Sequence, residues 1–362
     1  MKILCFGEVM LRFMPQQHKM LLQSLPGALD VTFGGAEANV AWDITMLGGD
    51  TSYVTALPDN FLGKACANQL RSIGVDVSGI VYDNGRIGTY YVEAGANQRA
   101  SKVVYDRANS SVSLTPFEAY DFDKKLEGIT RVHLSGITPA ISEIAADACI
   151  KLAKLAHSKG IAVSCDLNFR GKLWKWQDGK APRELAREVM PKILENVDLV
   201  IGNEEDAFDV LGIKSGSSDV ESGELDIEAY KETARKIAEK FKTVKKVAFT
   251  LRESLSATHN NWGAMLFDVA SNSAVLAPMS KDGKYTPYQI KSIVDRVGGG
   301  DSFAAGLLYG LDSGDFDNDA DALAFAVANS CLAHSVLGDY SFVPKSDVVA
   351  LMKGSGSGRV QR

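Results

Sequence analysis

The sequence predicts an α/β protein whose central sheet is mostly parallel and flanked by helices. Two observations carry this expectation. Short β-branched runs alternate with segments of helical periodicity through most of the chain, which is how repeated strand–helix–strand units read. Two stretches break that rhythm and look like β-structure of their own, a small appendage beside the main sheet.

Taken in order, the opening Met1-Lys2-Ile3-Leu4-Cys5-Phe6 reads as a first strand, since it turns polar at Glu8, too soon for a secretory leader. The first out-of-rhythm stretch follows over about 13–33. Gly34 and Gly35 then open a helix whose Val40, Ile44 and Leu47 keep helical spacing. The second irregular stretch, within 87–112, reads as a hairpin of 87–93 and 101–107 with a loose tip at Gly95-Ala96-Asn97. Strands are then expected at 132–136, 161–167, 199–202 and 244–251. Helices are expected at 144–159, ending at Gly160, and at 184–194, 204–211 and 227–241. The stretch 214–224 is rich in Ser, Gly and acids and reads as an exposed loop. The segment 353–358 is linker-like, a frayed or appended end.

Bulk properties exclude several classes. Hydrophobic residues make up 46% of 362 and charged residues 23%, as in an ordinary globular protein. A net charge of −6 leaves no electrostatic footprint for nucleic acid or an anionic membrane surface. No apolar run approaches the roughly 20 residues that span a bilayer. Five scattered cysteines without a C-x-x-C pair fit reduced structural thiols, and five histidines lack ligand spacing. A cytoplasmic location follows as the default expectation.

Candidate chemistry gathers at strand ends, where open α/β sheets bind ligands. Asp166 to Arg170, Asn203 to Asp206 and Thr250 to Arg252 are polar clusters closing predicted strands. The most informative stretch is Val297-Gly298-Gly299-Gly300-Asp301-Ser302-Phe303. Its glycines let backbone N–H groups approach an anion, and the helix behind them adds unpaired donors and the positive end of its dipole. Asp301 is placed either to accept a proton from an attacking hydroxyl or merely to cap the helix. Gly34, Gly35 and Asn39 likewise suit either tight helix packing or a hydroxylated ligand lying against the backbone. Lys64 follows a glycine but lacks the rest of a phosphate-binding loop and reads as a surface residue.

With those residues assembled, the chain resembles the PfkB/ribokinase family of sugar kinases over nearly its full length, and within it the keto-deoxygluconate kinases. The N-terminal family signature is similar to Gly34-Gly35-Ala36-Glu37-Ala38-Asn39-Val40-Ala41, and the C-terminal one to Asp295 through Gly306. The resemblance implies a ribokinase-like single domain over 1–352, with a β lid from about 13–33 and 87–112 and a flexible tail at 353–362. It implies ATP-dependent phosphorylation of 2-dehydro-3-deoxy-D-gluconate at its 6-hydroxyl, with Asp301 as base and Gly298, Gly299 and Gly300 as anion hole. Gly34, Gly35, Asn39, Tyr90, Tyr105, Arg107, Arg170 and Asp339 would contact the sugar. Asn168, Arg170, Thr250, Arg252, Ser256, Gly298 and Gly300 would hold ATP, and Glu205 with Asp206 would hold Mg2+.

Val103, Tyr105 and Arg107 alternate along one strand face. Two arginines, Arg107 and Arg170, favour a sugar acid because a guanidinium pairs bidentately with a carboxylate. A neutral sugar such as fructose or ribose is the alternative, and a non-catalytic sugar sensor the second. The resemblance further implies homo-oligomers formed through the lid. Two departures stand out: Gly299 replaces the usual alanine, and Asp206 replaces the usual glutamate of an N-x-x-E motif.

Overall fold

The computed structural model describes residues 1–214 and 226–354. The acid-rich loop and the Gly/Ser tail expected from the sequence lie almost wholly outside the described residues. Among the described residues the main sheet runs, edge to edge, Ser273–Ala277, His259–Asp268, Lys246–Ser256, Leu199–Gly202, Ala162–Asp166, Arg131–Ser135, Lys2–Phe6 and Asp50–Val54. The strands from Lys246–Ser256 to Asp50–Val54 are parallel. Beyond them the sheet turns antiparallel, and Tyr288–Ile290 adds a short strand beside His259–Asp268.

Period-two alternation divides the strand side chains between two cores. Leu4 and Phe6 pack with Leu152 of the helix Glu143–Ser158 and Leu185 of Pro182–Leu194. Ile3 and Cys5 pack with Val40 of Ala36–Met46 and Phe303 of Gly299–Asp312. Each such fully buried Leu, Ile or Phe contributes roughly 1.5–3 kcal/mol. Helix ends follow local chemistry. Ser142 Oγ accepts from Ala145 N–H at 3.0 Å to start Glu143–Ser158, and Gly160, at φ +72°, follows its end.

The expected strand at 244–251 differs in extent. It runs Lys246–Ser256, because parallel pairing ends at Gly202 opposite Phe249 while the antiparallel partner His259–Asp268 carries the strand onward. Thr250 and Arg252 therefore lie within a hairpin that overhangs the sheet's carboxyl edge rather than closing a strand.

The two out-of-rhythm stretches form one four-stranded sheet in the order Asp30–Gly34, Met10–Met14, Gly88–Glu93, Lys102–Asp106. It begins at Met10, three residues before the expected boundary, since only a short turn separates it from Lys2–Phe6. The expected hairpin is present, with Tyr90 opposite Tyr105. Its tip reaches across to the overhanging hairpin: Ala257 N–H donates to Asn97 O at 2.8 Å. This small sheet covers the carboxyl edge of the main one. All five cysteines are free, and no described helix is long and apolar enough to cross a membrane.

Candidate active site

Between the lid and the carboxyl ends of the parallel strands lies a cavity of about 400 Å³. Sixteen of the sequence-predicted site residues line it: Gly35, Asn39, Tyr90, Tyr105, Arg107, Asn168, Arg170, Glu205, Asp206, Thr250, Arg252, Gly298, Gly299, Gly300, Asp301 and Asp339. Two do not. Gly34 sits behind the wall, where a Cβ would run into the Asp339 carboxylate and the Tyr90 hydroxyl. Ser256 lies past the lid contact, its carbonyl accepting from Arg296 Nη2 at 3.1 Å.

Gly298 adopts φ +84°, and a Cβ there would sit 2.5 Å from Asp339 O, so glycine is required on both counts. The first bond of the helix runs from Ser302 N–H to Gly298 O at 2.8 Å. The N–H groups of Gly299, Gly300 and Asp301 precede it and are the orphan donors of a helix start. These residues line the cavity, so an anion placed there would meet the donors with the helix dipole behind them.

Asp301 is half-buried beside this cradle. Its carboxyl is pushed up to about 7, first because burial strips it of water and then by the charges of Asp339 and Glu37. Asn39 Nδ2 donates to Asp301 Oδ2 at 2.6 Å and Arg170 offers positive charge, both acting in the opposite direction. Asn39 lines the cavity, and both groups of its amide are engaged within the protein. Its Oδ1 accepts from Gly35 N–H at 3.2 Å, and it serves to hold Asp301. Gly35 answers to packing as well, for a Cβ would meet Glu8 O.

Arg107 departs from the simple picture of a free guanidinium. It is buried, and its Nε donates to Glu8 Oε2 at 2.6 Å within a salt bridge. Glu8 Oε1, also buried, has no hydrogen-bond partner among the described residues. Arg170 is exposed at the cavity, with Nη1 on Phe169 O at 2.9 Å. Tyr90 and Tyr105 stand with ring centroids 6.3 Å apart, and Val103, Tyr105 and Arg107 share the cavity face as their alternation predicts.

Carboxylates crowd the opposite wall. Asp166 is raised well above its ordinary range by burial and then by Asp206 and Asp301. Asp206 caps its helix: its two oxygens accept from Phe169 N–H at 3.0 Å and Asn203 N–H at 3.3 Å. The shorter aspartate fits because it folds back on its own helix start. Glu205 is exposed to the cavity.

Several lining residues escaped the sequence reading, among them Glu8, Trp262, Arg296 and His334. Trp262 and His334 meet edge to face at 5.0 Å beside the glycine cradle. Trp262 belongs to an antiparallel strand that strand–helix alternation does not reveal, and Glu8 follows a strand with no motif around it.

A family model described as pfkB family carbohydrate kinase matches residues 1–346. The chain belongs to the pfkB family of carbohydrate kinases. Among solved structures, the kinase is similar to 2-dehydro-3-deoxygluconokinase from Thermotoga maritima. The two are 42% identical with a TM-score of 0.87, over 98% of this chain and 100% of that one. A putative 2-keto-3-deoxygluconate kinase from Enterococcus faecalis is 28% identical with a TM-score of 0.84, over 100% of this chain and 99% of that one. The 2-dehydro-3-deoxygalactonokinase of Haloferax volcanii is 28% identical over 99% of this kinase and 98% of its own length. The fold is accordingly the ribokinase-like one, with its accessory sheet in place.

Proposed function

We propose that this kinase transfers the terminal phosphoryl group of ATP to a primary hydroxyl of a 2-dehydro-3-deoxy sugar acid, 2-dehydro-3-deoxy-D-gluconate being the first candidate. The observation that carries the reading is Asp301, a carboxylate tuned to about 7, at the mouth of the Gly298–Gly300 cradle inside the cavity. A base works best with a pKa near the operating pH. Asp301 takes the hydroxyl proton as that oxygen attacks in line, while the orphan N–H groups stabilise charge on the transferring group. Tyr90 and Tyr105 wall the sugar. Arg170, and Arg107 where a ligand competes with Glu8, meet its carboxylate. Asn168, Thr250, Arg252 and the glycine cradle hold the nucleotide. The contact of the lid tip with the turn after Ser256 keeps water from the reacting phosphate.

The acidic wall fits a divalent cation. Asp206 and Asp301 press on Asp166 with their charge, Glu205 stands exposed to the cavity, and Mg2+ needs only one or two carboxylates besides phosphate and water. Glu205 and Asp206 would hold it, with Asp166 beside them; when bound it neutralises phosphate charge. The outward lid face, with Val31 51% and Val104 58% exposed, supports pairing with a second copy. Light scattering would then read twice the chain mass.

Two assays test the reading. ADP release should be seen with keto-deoxy sugar acids and be much weaker with fructose or ribose; the reverse preference would overturn the substrate. Asp301→Asn should lower turnover by several orders of magnitude with ATP binding near normal. Wild-type turnover in that variant would remove the base.

A further inference from the structure

Among the described residues, the largest charged side chain with under 2% exposure is not in the cavity wall. Arg12, in the lid strand Met10–Met14, is 1% exposed and lies behind the cavity. Its Nη1 donates to Asp339 Oδ1 at 2.6 Å, and its Nη2 is paired with Asp295 Oδ2. Nη2 also lies 3.1 Å from Met14 Sδ. Burial opposes its charge, but the two aspartates hold it firmly protonated. Burying a guanidinium between two carboxylates is costly unless the geometry is good, and simple stability does not require it.

What the pair holds is specific. Asp295 Oδ1 accepts from Val297 N–H at 3.1 Å, the residue that leads into Gly298. Asp295 Oδ2 accepts from Gly338 N–H at 3.2 Å. Asp339 Oδ2 takes a long bond of 3.4 Å from Asn39, the residue that holds Asp301, and Asp339 O sits against Gly298. One lid side chain therefore reaches the loop entering the anion cradle, the segment packed on it and the group that orients the base.

We propose that Arg12 is a positioning residue that sets the glycine cradle and Asp301 in register with the closed lid, so that phosphoryl transfer depends on where the lid strand lies. This rests on the function proposed above. The guanidinium serves both aspartates through separate nitrogens, a fork that an ammonium does not reproduce. A misplacement of about 1 Å at a reacting centre costs on the order of a hundredfold in rate.

The test is steady-state kinetics of Arg12→Met, with folding checked by circular dichroism. Turnover should fall at least thirtyfold while KM for ATP stays within about threefold and KM for sugar changes far less than turnover, because of Arg12's two carboxylate partners only Asp339 lines the cavity. Guanidinium ion at tens of millimolar should restore part of the loss in Arg12→Ala. Turnover within twofold of wild type, or a raised sugar KM with turnover kept, overturns the proposal, since a lid fastener alone gives the latter. If Arg12→Met does not fold, Arg12→Lys decides by the same split, with wild-type turnover counting against the fork. An inactive wild-type chain refutes the proposed function; an active one with an unaffected Arg12 variant refutes only this role.

Discussion

Asn39 Nδ2 lies 2.6 Å from Asp301 Oδ2, while Asn39 Oδ1 accepts from Gly35 N–H at 3.2 Å. The amide ties the two signature glycine segments of the chain together through one side chain. It also fixes which oxygen of Asp301 stays open to the cavity. A hydrogen bond to the ionised form of a carboxyl stabilises that form, so Asn39 keeps the base from rising further.

This gives a pH prediction. Asp301 must be ionised to accept a proton, and its pKa stands at about 7, so kcat/KM should fall on the acid side with a midpoint near neutrality. Asp339 and Glu37 act on it with negative charge and Arg170 with positive charge. Asn39→Leu removes the stabilising bond and should move the midpoint upward by about one unit. A pH–rate profile checks this; an unmoved midpoint would show that the titrating group is another.

The same shift fixes a stability prediction. The folded-state pKa of Asp301 lies above the value of roughly 4 expected in the unfolded chain. The folded state therefore binds the proton more tightly, and its advantage is present in acid and lost as pH rises toward 7. Asp301→Asn carries no such penalty. It should be more stable than wild type at pH 8 by about 2 kcal/mol, a figure reduced because the side chain is only half-buried. The difference should vanish at about pH 4. Thermal melts at both pH values read it directly.

The fold was legible wherever a strand and its helix lie adjacent in sequence, as at 199–202 followed by 204–211. It was not legible where partners are distant. The antiparallel strand His259–Asp268 is defined by pairing with its neighbours, and nothing local distinguishes it from a further parallel strand. The cradle and Asp301 could be read because glycines before a helix have a local physical meaning. Glu8 and Arg12 could not, since their partners lie 99 and 283 to 327 residues away and only the closed lid brings them together. Asn39 stands out in the sequence by its place after the signature glycines, but its bonds do not, because the sequence does not show that Asp301 lies within reach of its amide.

Gly299 illustrates a substitution that the structure explains. A Cβ there would lie 2.7 Å from His334 Cε1, closer than side chains pack. His334 is held by Nδ1 to Ser330 O at 2.7 Å, and Ser330 Oγ donates to Gly299 O at 2.6 Å, so the ring has little room to yield. Gly299→Ala should lower turnover about tenfold by displacing the cradle, a cost near 1.4 kcal/mol. Adding His334→Ala should restore much of it. A double-mutant cycle measures that coupling, and additive losses would contradict it.

The Glu8–Arg107 pair determines how the substrate class can be tested. Both side chains are buried, so Arg107→Met alone leaves the Glu8 carboxylate without its countercharge, and breaking such a pair costs about 3–5 kcal/mol. A melting temperature lowered by several degrees is the expected first effect, and it would obscure any binding change. Glu8→Gln in the same chain removes the stranded charge and should recover most of the lost stability. In that double variant, KM for a keto-deoxy sugar acid should remain at least tenfold above wild type, about 1.4 kcal/mol of lost carboxylate recognition. Its KM for a neutral sugar should change by less than threefold. Equal changes for acid and neutral sugars would mean that Arg107 shapes the lid through Glu8 and reads no carboxylate.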